Sequence, residues 1–255
     1  MANILDTLVH TVTGRALPSP NPDGVTTNLG IRGGRYGEVY VKALVPTKHA
    51  LCDEGSYFLC PNSATFDTPA TYALQTAFSA TAPAYVIRNN DAAGGKSVYL
   101  DYLRLICATV GSTATSVRLG VILDTGARTP SAGNAVMTPF NTNMGSATGS
   151  FCVVNQFSGA AQTVAAAVSA RTCGYTTLKQ SIPITGDEYI CYFGSVDPPA
   201  AVGGTAAAIT IAGKYASGLP PVVIGPQQTA LIYLWEPGVT VTSPTFTSEL
   251  AWWER

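Results

Sequence analysis

The sequence predicts an all-β, jelly-roll-like β-sandwich with an extended N-terminal arm. Three observations predict it. About ten short runs of β-forming residues are separated by Gly, Pro and Asn turns. None of these runs alternates with a clear 10- to 15-residue helical pattern, which disfavours a βαβ organisation. The first 37 residues carry few apolar anchors and a cluster of Pro and Gly. The expected division is an arm over residues 1–37 and one sandwich domain over 38–255.

In the arm, Ile4, Leu5, Leu8, Val9 and Val12 have a short helical spacing. Pro18, Pro20 and Pro22 then favour extended, polyproline-type chain, and Asp23-Gly24 marks a turn. Gly30, Gly33, Gly34 and Gly37 follow, interrupted by Arg32, Arg35 and Tyr36. The fragment lacks the flanking elements of a phosphate loop. Arg32, Arg35 and Tyr36 are instead expected to anchor the arm to a partner subunit by bidentate and aromatic contacts.

From Glu38 onward the pattern is β. EVYVKALV, SYFLC and AYVIRN read as strands, with PTKHALCDEG a turn between the first two. In SVYLDYLRLICATV strict alternation places Tyr99, Asp101, Leu103, Leu105 and Cys107 on one face, buried apart from Asp101. TSVRLGVILD puts Val117, Leu119, Val121 and Leu123 on one face. Residues 125–149 read as a long loop. SFCVVNQF, TLKQSIPI, DEYICYFGSV, AAAITIA, TALIYLW and TFTSELAWWER are further strands, while AQTVAAAVSA fits a strand or a short helix. Trp252 and Trp253 are adjacent, so on a strand they face opposite ways, one into the core and one onto a second contact.

Composition restricts function. Only 11% of the 255 residues are charged, and 14 basic against 15 acidic side chains leave a net charge of −1. Such a chain has no field matched to phosphates, so no nucleic acid is expected as a partner. It is too apolar, at 46% hydrophobic residues, for intrinsic disorder. The uncharged stretches 68–87 and 129–170 are broken by Pro, Gln, Asn and Thr, so no membrane span is expected. The N-terminus lacks the basic and apolar regions of a secretory signal, and a cytosolic origin is the default. A surface of Thr, Ser, Ala, Gly, Asn and Gln desolvates cheaply, which suits subunit packing.

Chemistry is sparse. Two histidines, His10 and His49, cannot form a multi-histidine metal site, and no metal or cofactor is expected. Cys52, Cys60, Cys107, Cys152, Cys173 and Cys191 show no CxxC spacing, and several lie in apolar runs, as buried reduced thiols do. His49 and Cys52 match no cysteine-hydrolase signature. Asp53-Glu54 and Asp187-Glu188 fit turn capping as well as acid–base work. No catalytic residues are assigned and no enzymatic activity is expected. The 12 tyrosines and the three tryptophans alternate within strands mainly as core residues would, with glycan stacking the competing use.

Three stretches carry a resemblance: GGRYGEVYVKALVPTKHALCDEGSYF at 33–58, GLPPVVIGPQQTALIYLWEPG at 218–238 and SELAWWER at 248–255. Together they resemble structural proteins of tailed bacteriophages. The likeness implies a non-enzymatic virion component, similar to capsid cement or decoration proteins, which are commonly trimeric jelly rolls. It implies the major capsid protein as partner, a homotrimer, and a place on the virion exterior after synthesis in the host cytoplasm. The alternative is a head-fibre or tail-associated module binding host-surface glycans.

Overall fold

The computed structural model describes residues 47–62, 72–110, 116–132, 134–157, 163–165, 170–179, 183–194, 213–237 and 244–255. Among them are one short helix, α1 (Thr47–Asp53), and sixteen strands. The expected strands EVYVKALV and AAAITIA lie outside the described residues.

Eight strands build the body: β1 (Tyr57–Pro61), β3 (Tyr85–Asn89), β4 (Val98–Thr109), β5 (Val117–Asp124), β11 (Ala170–Lys179), β12 (Glu188–Phe193), β15 (Thr229–Trp235) and β16 (Thr245–Glu254). One sheet runs β12-β4-β16-β1 and the other β11-β5-β15-β3, and every neighbouring pair is antiparallel. Along the chain, each strand crosses to the opposite sheet except at β5–β11, which pair side by side. This is the two-sheet, double-Greek-key order of a jelly roll. The sandwich reading of the sequence is therefore correct.

Further strands cover the edges. Residues 125–149, read from sequence as a loop, contribute β6 (Pro130–Ala132), β7 (Asn134–Met137) and β8 (Phe140–Asn141), while the expected strand SFCVVNQF is β9 (Cys152–Phe157) and AQTVAAAVSA contributes β10 (Thr163–Val164). β8 adds to β1, while β9 and β7 extend the second sheet beyond β3. β6 pairs with β10. At the other edge of the first sheet, β13 (Lys214–Leu219) runs parallel to β12. β2 (Tyr72–Ala73) and β14 (Val223–Ile224) pair with β16 and β4. Covering β1 and β3 occupies backbone groups that would otherwise template another chain. β6, β7 and β8 escape sequence reading because they are only two to four residues long.

α1 is the other departure: the segment read as a turn is a helix. Gly55 ends it at φ +67°, with the Ser56 amide donating to Leu51 O at 3.0 Å and the Gly55 amide to Cys52 O at 2.9 Å. These are the paired bonds of a Schellman cap, which uses a left-handed residue that glycine adopts without strain. α1 lies on the outer face of the first sheet, with Leu51 and Cys52 against Tyr57, Tyr102, Ala251 and Trp253.

β4 shows why the outer face can accept that helix. Strict alternation fails at Asp101, where the pairing with β16 shifts between Ala251 and Trp252. Val98 and Leu100 point inward, then Leu103, Leu105 and Cys107 do, so the extra residue resets the phase. A bulge of this kind inserts one unpaired residue and re-aims its side chain. The Asp101 carboxylate accepts from the Tyr57 hydroxyl at 2.5 Å and pairs with Lys48 of α1 at 2.7 Å. Burial, and then the bond to this carboxylate, push the Tyr57 phenol far above its ordinary value.

The core fills the space between sheets. Trp252, Phe58, Phe246, Tyr189, Leu103 and Leu105 come from the first sheet; Tyr85, Ile87, Leu119 and Ile232 come from the second. Trp252 stacks on Phe58, with centroids 6.2 Å apart. Its neighbour Trp253 faces outward, lies parallel to Tyr99 at 5.6 Å, and joins the cluster beneath α1. Trp252→Ala is expected to lower unfolding free energy by about 3–5 kcal/mol, the cost of an aromatic cavity. Trp253→Ala, removing a half-buried ring, is expected to cost about 1–2 kcal/mol. Urea denaturation of both variants checks the order; equal losses would contradict the two-face placement.

Candidate interaction surfaces

Arg32, Arg35 and Tyr36 lie outside the described residues, as does His10. Trp252 and Trp253 are placed as above, and the strand carrying them also anchors the 125–169 insertion. The Glu254 carboxylate accepts from the Ser150 hydroxyl at 2.5 Å, the Phe151 amide at 3.2 Å and the Trp252 indole at 3.1 Å.

The residues weighed for catalysis do not converge. His49 is exposed on α1, while the Cys52 thiol accepts from the Thr142 hydroxyl at 3.1 Å. Asp53 and Glu54 are exposed at the end of α1. Asp187 is buried and accepts from the Ile184 amide at 2.7 Å, the Gly213 amide at 2.8 Å and the Tyr189 hydroxyl at 3.0 Å, so it organises two loops. Among the described residues no group of His, Cys, Asp or Glu could hold a metal ion, and no helix is long and apolar enough to cross a membrane.

All six cysteines are free thiols. Burial pushes the Cys60 thiol up to about 12. The Cys191 thiol also rises to about 12, through burial against a smaller opposing bond with Ser217. Cys152 rises through burial and then the nearby Glu254 and Cys60. Thiolates are the reactive form, so these sites are inert. A thiol reagent is expected to label only Cys52 and Cys173, the two partly exposed thiols, in the native protein, with Cys173 slowed because burial raises its thiol, and all six cysteines in denaturant. Rapid native labelling of four or more would contradict this burial.

The outer face of the first sheet bears a charge ladder. Glu188 accepts from Arg104 Nε at 2.6 Å and pairs with Lys214 at 3.0 Å. Next to it, the Tyr102 hydroxyl donates to Glu249 at 2.6 Å. Burial disfavours the charged Glu188 carboxylate, but Arg104 and Lys214 outweigh it and hold the carboxyl below its ordinary value. A depressed carboxyl stabilises the fold above the unfolded-state value, and that stability is lost as pH falls through the folded-state value. Glu188→Gln is therefore expected to be less stable than the native chain at neutral pH. The gap should close in acid, as measured by urea midpoints at pH 7 and pH 3; a pH-independent gap would exclude this linkage.

In the insertion, exposed apolar side chains gather in sequence. Val136 is 71% exposed, Phe140 46%, Met144 97% and Phe151 40%, all within residues 134–151. Met144 sits at the tip of a turn held by Asn141 and Asn143, whose side chains bond the backbone of Gly55, Asp53 and Thr148. Such a turn holds an apolar tip in the solvent.

A second surface lies on the outer face of the other sheet. Along β5, Arg118, Gly120, Ile122 and Asp124 face outward. Trp235 and Thr177 lie opposite Arg118, and Tyr233 and Tyr175 opposite Gly120. A Cβ on Gly120 would come within 3.3 Å of the Trp235 indole, so the ring rests against the strand there. Close approach of this kind is what a strand glycine allows. Phe78 packs beside Tyr233 at 5.1 Å and Trp235 at 5.3 Å, and Tyr175 lies 5.9 Å from Trp235. Phe78 and Tyr175 are about half exposed. At the far end of this face, Arg128 and Asp124 form a buried ion pair that also binds Ala165 O and ties β10 over Val86 and Leu231. The aromatic cluster was hidden in the sequence because Phe78 comes from a loop; the glycine inside TSVRLGVILD was its one signal.

Comparison with known proteins gives no match: no family model, curated protein or solved structure is similar to the chain.

Proposed function

We propose that the chain is a structural virion protein that decorates a bacteriophage capsid and stabilises it by bridging major capsid subunits, acting as a homotrimer. The observation that carries this reading is the insertion, which presents Val136, Phe140, Met144 and Phe151 to solvent on a chain of which only 11% is charged. Of the few charged side chains, Lys48, Arg104, Arg128 and Lys214 pair with Asp101, Asp124 and Glu188 within the body. A surface poor in charge desolvates at low cost when covered by another subunit. A jelly roll with covered sheet edges is a rigid block suited to such contacts. The phage-like stretches at 33–58, 218–238 and 248–255 support the same reading. The mechanism is mechanical: bodies seated over junctions between shell subunits bury interface there, and several weak contacts on one shell sum to tight binding.

The test is cosedimentation with expanded shells of the phage that carries the gene. The native chain is expected to bind saturably. Met144→Glu, at a fully solvated tip, should leave the unfolding midpoint unchanged and weaken shell binding by about tenfold or more. No saturable binding by the native chain, or full binding by Met144→Glu together with Phe140→Ser, would overturn the proposal.

A further inference from the structure

We infer that the outer face of the second sheet holds a binding site for a carboxylate-bearing sugar, with Trp235 as its floor, Phe78 and Tyr175 as its sides and Arg118 as its anion contact. This site is separate from the insertion surface and goes beyond the decoration role. A pyranose has one face of C–H groups and a rim of hydroxyls, so it stacks on a flat ring while its edge seeks polar partners. The indole of Trp235, laid against Gly120, provides the flat ring. Phe78, inclined by 62°, and Tyr175, inclined by 35°, pack beside it with centroids 5.3 and 5.9 Å away, and both remain about half exposed.

Charge selects among sugars. Arg118 is half-buried directly opposite Trp235, and its Nε donates only a long 3.4 Å bond to the Ser116 hydroxyl. Among the described residues no carboxylate pairs with it, in contrast with Arg104 and Arg128. A guanidinium beside an aromatic floor offers a planar, charge-assisted fork that matches a carboxylate. The Thr177 hydroxyl lies on its other side, across β11. A uronic acid satisfies both halves of the site, with its ring over Trp235 and its carboxylate toward Arg118. A neutral sugar uses only the ring, and a simple anion only the guanidinium.

The test is 1H–15N titration of the full chain with methyl β-D-glucuronide, methyl β-D-glucoside and acetate. The glucuronide is expected to shift the Trp235 indole and Gly120 amide signals saturably, at an affinity about tenfold above the glucoside. Acetate should leave the indole unmoved. Arg118→Gln should bring the glucuronide down to the glucoside's affinity, and Tyr175→Ala, at an exposed ring, should weaken both sugars. The inference is overturned if neither sugar shifts these signals, if both bind equally to the native chain, or if acetate moves the indole as the glucuronide does. None of these outcomes bears on shell binding, so the two proposals fail separately.

Discussion

The fold depends on the pairing of the last strand between the first and the fourth. β16 closes the first sheet by adding Tyr57–Pro61 on one side and Val98–Thr109 on the other. Until these residues are in place, neither Phe58 nor Leu103 has its core partner, since Trp252 and Leu250 arrive with β16. The same strand supplies the outer cluster under α1 through Trp253, and Glu254 holds the start of β9. Such pairing joins residues about two hundred positions apart in sequence, so loop closure precedes any gain from burial, which is the physical reason folds of this type form slowly.

The strand alternation that reveals a jelly roll is legible where runs are long and apolar. TALIYLW and TFTSELAWWE read directly, because burial of one or both faces leaves a pattern that composition cannot hide. The topology was less accessible: the order β1-β16-β4-β12 is set by long-range pairing and leaves no local mark. The strict alternation expected for β4 fails at Asp101, since a single bulge residue shifts the phase without changing which residue types occur. The helix at Thr47–Asp53 is one Schellman-capped piece too short for periodicity, and only Gly55 announced its end.

Surfaces were less legible than the core. The low charge of the chain pointed to contacts in place of a pocket, and the pairing of Lys48, Arg104, Arg128 and Lys214 with carboxylates of the same domain is consistent with that reading. The exposed residues of 134–151 sit in a stretch whose Gly, Asn and Thr content looked like plain loop. Strand pairing places two of them, Phe140 beside β1 and Val136 beside β9. The Trp235 aromatic cluster likewise needed the third dimension, because Phe78, Gly120, Tyr175 and Trp235 come from four separate segments.

The most direct measurement is hydrogen–deuterium exchange of the full chain, free and bound to expanded shells. Shell contact through the insertion should add protection at residues 134–151 and leave the buried strands β4 and β15 unchanged. Protection confined to other parts of the chain, with 134–151 exchanging at its free rate, would contradict the proposed decoration surface.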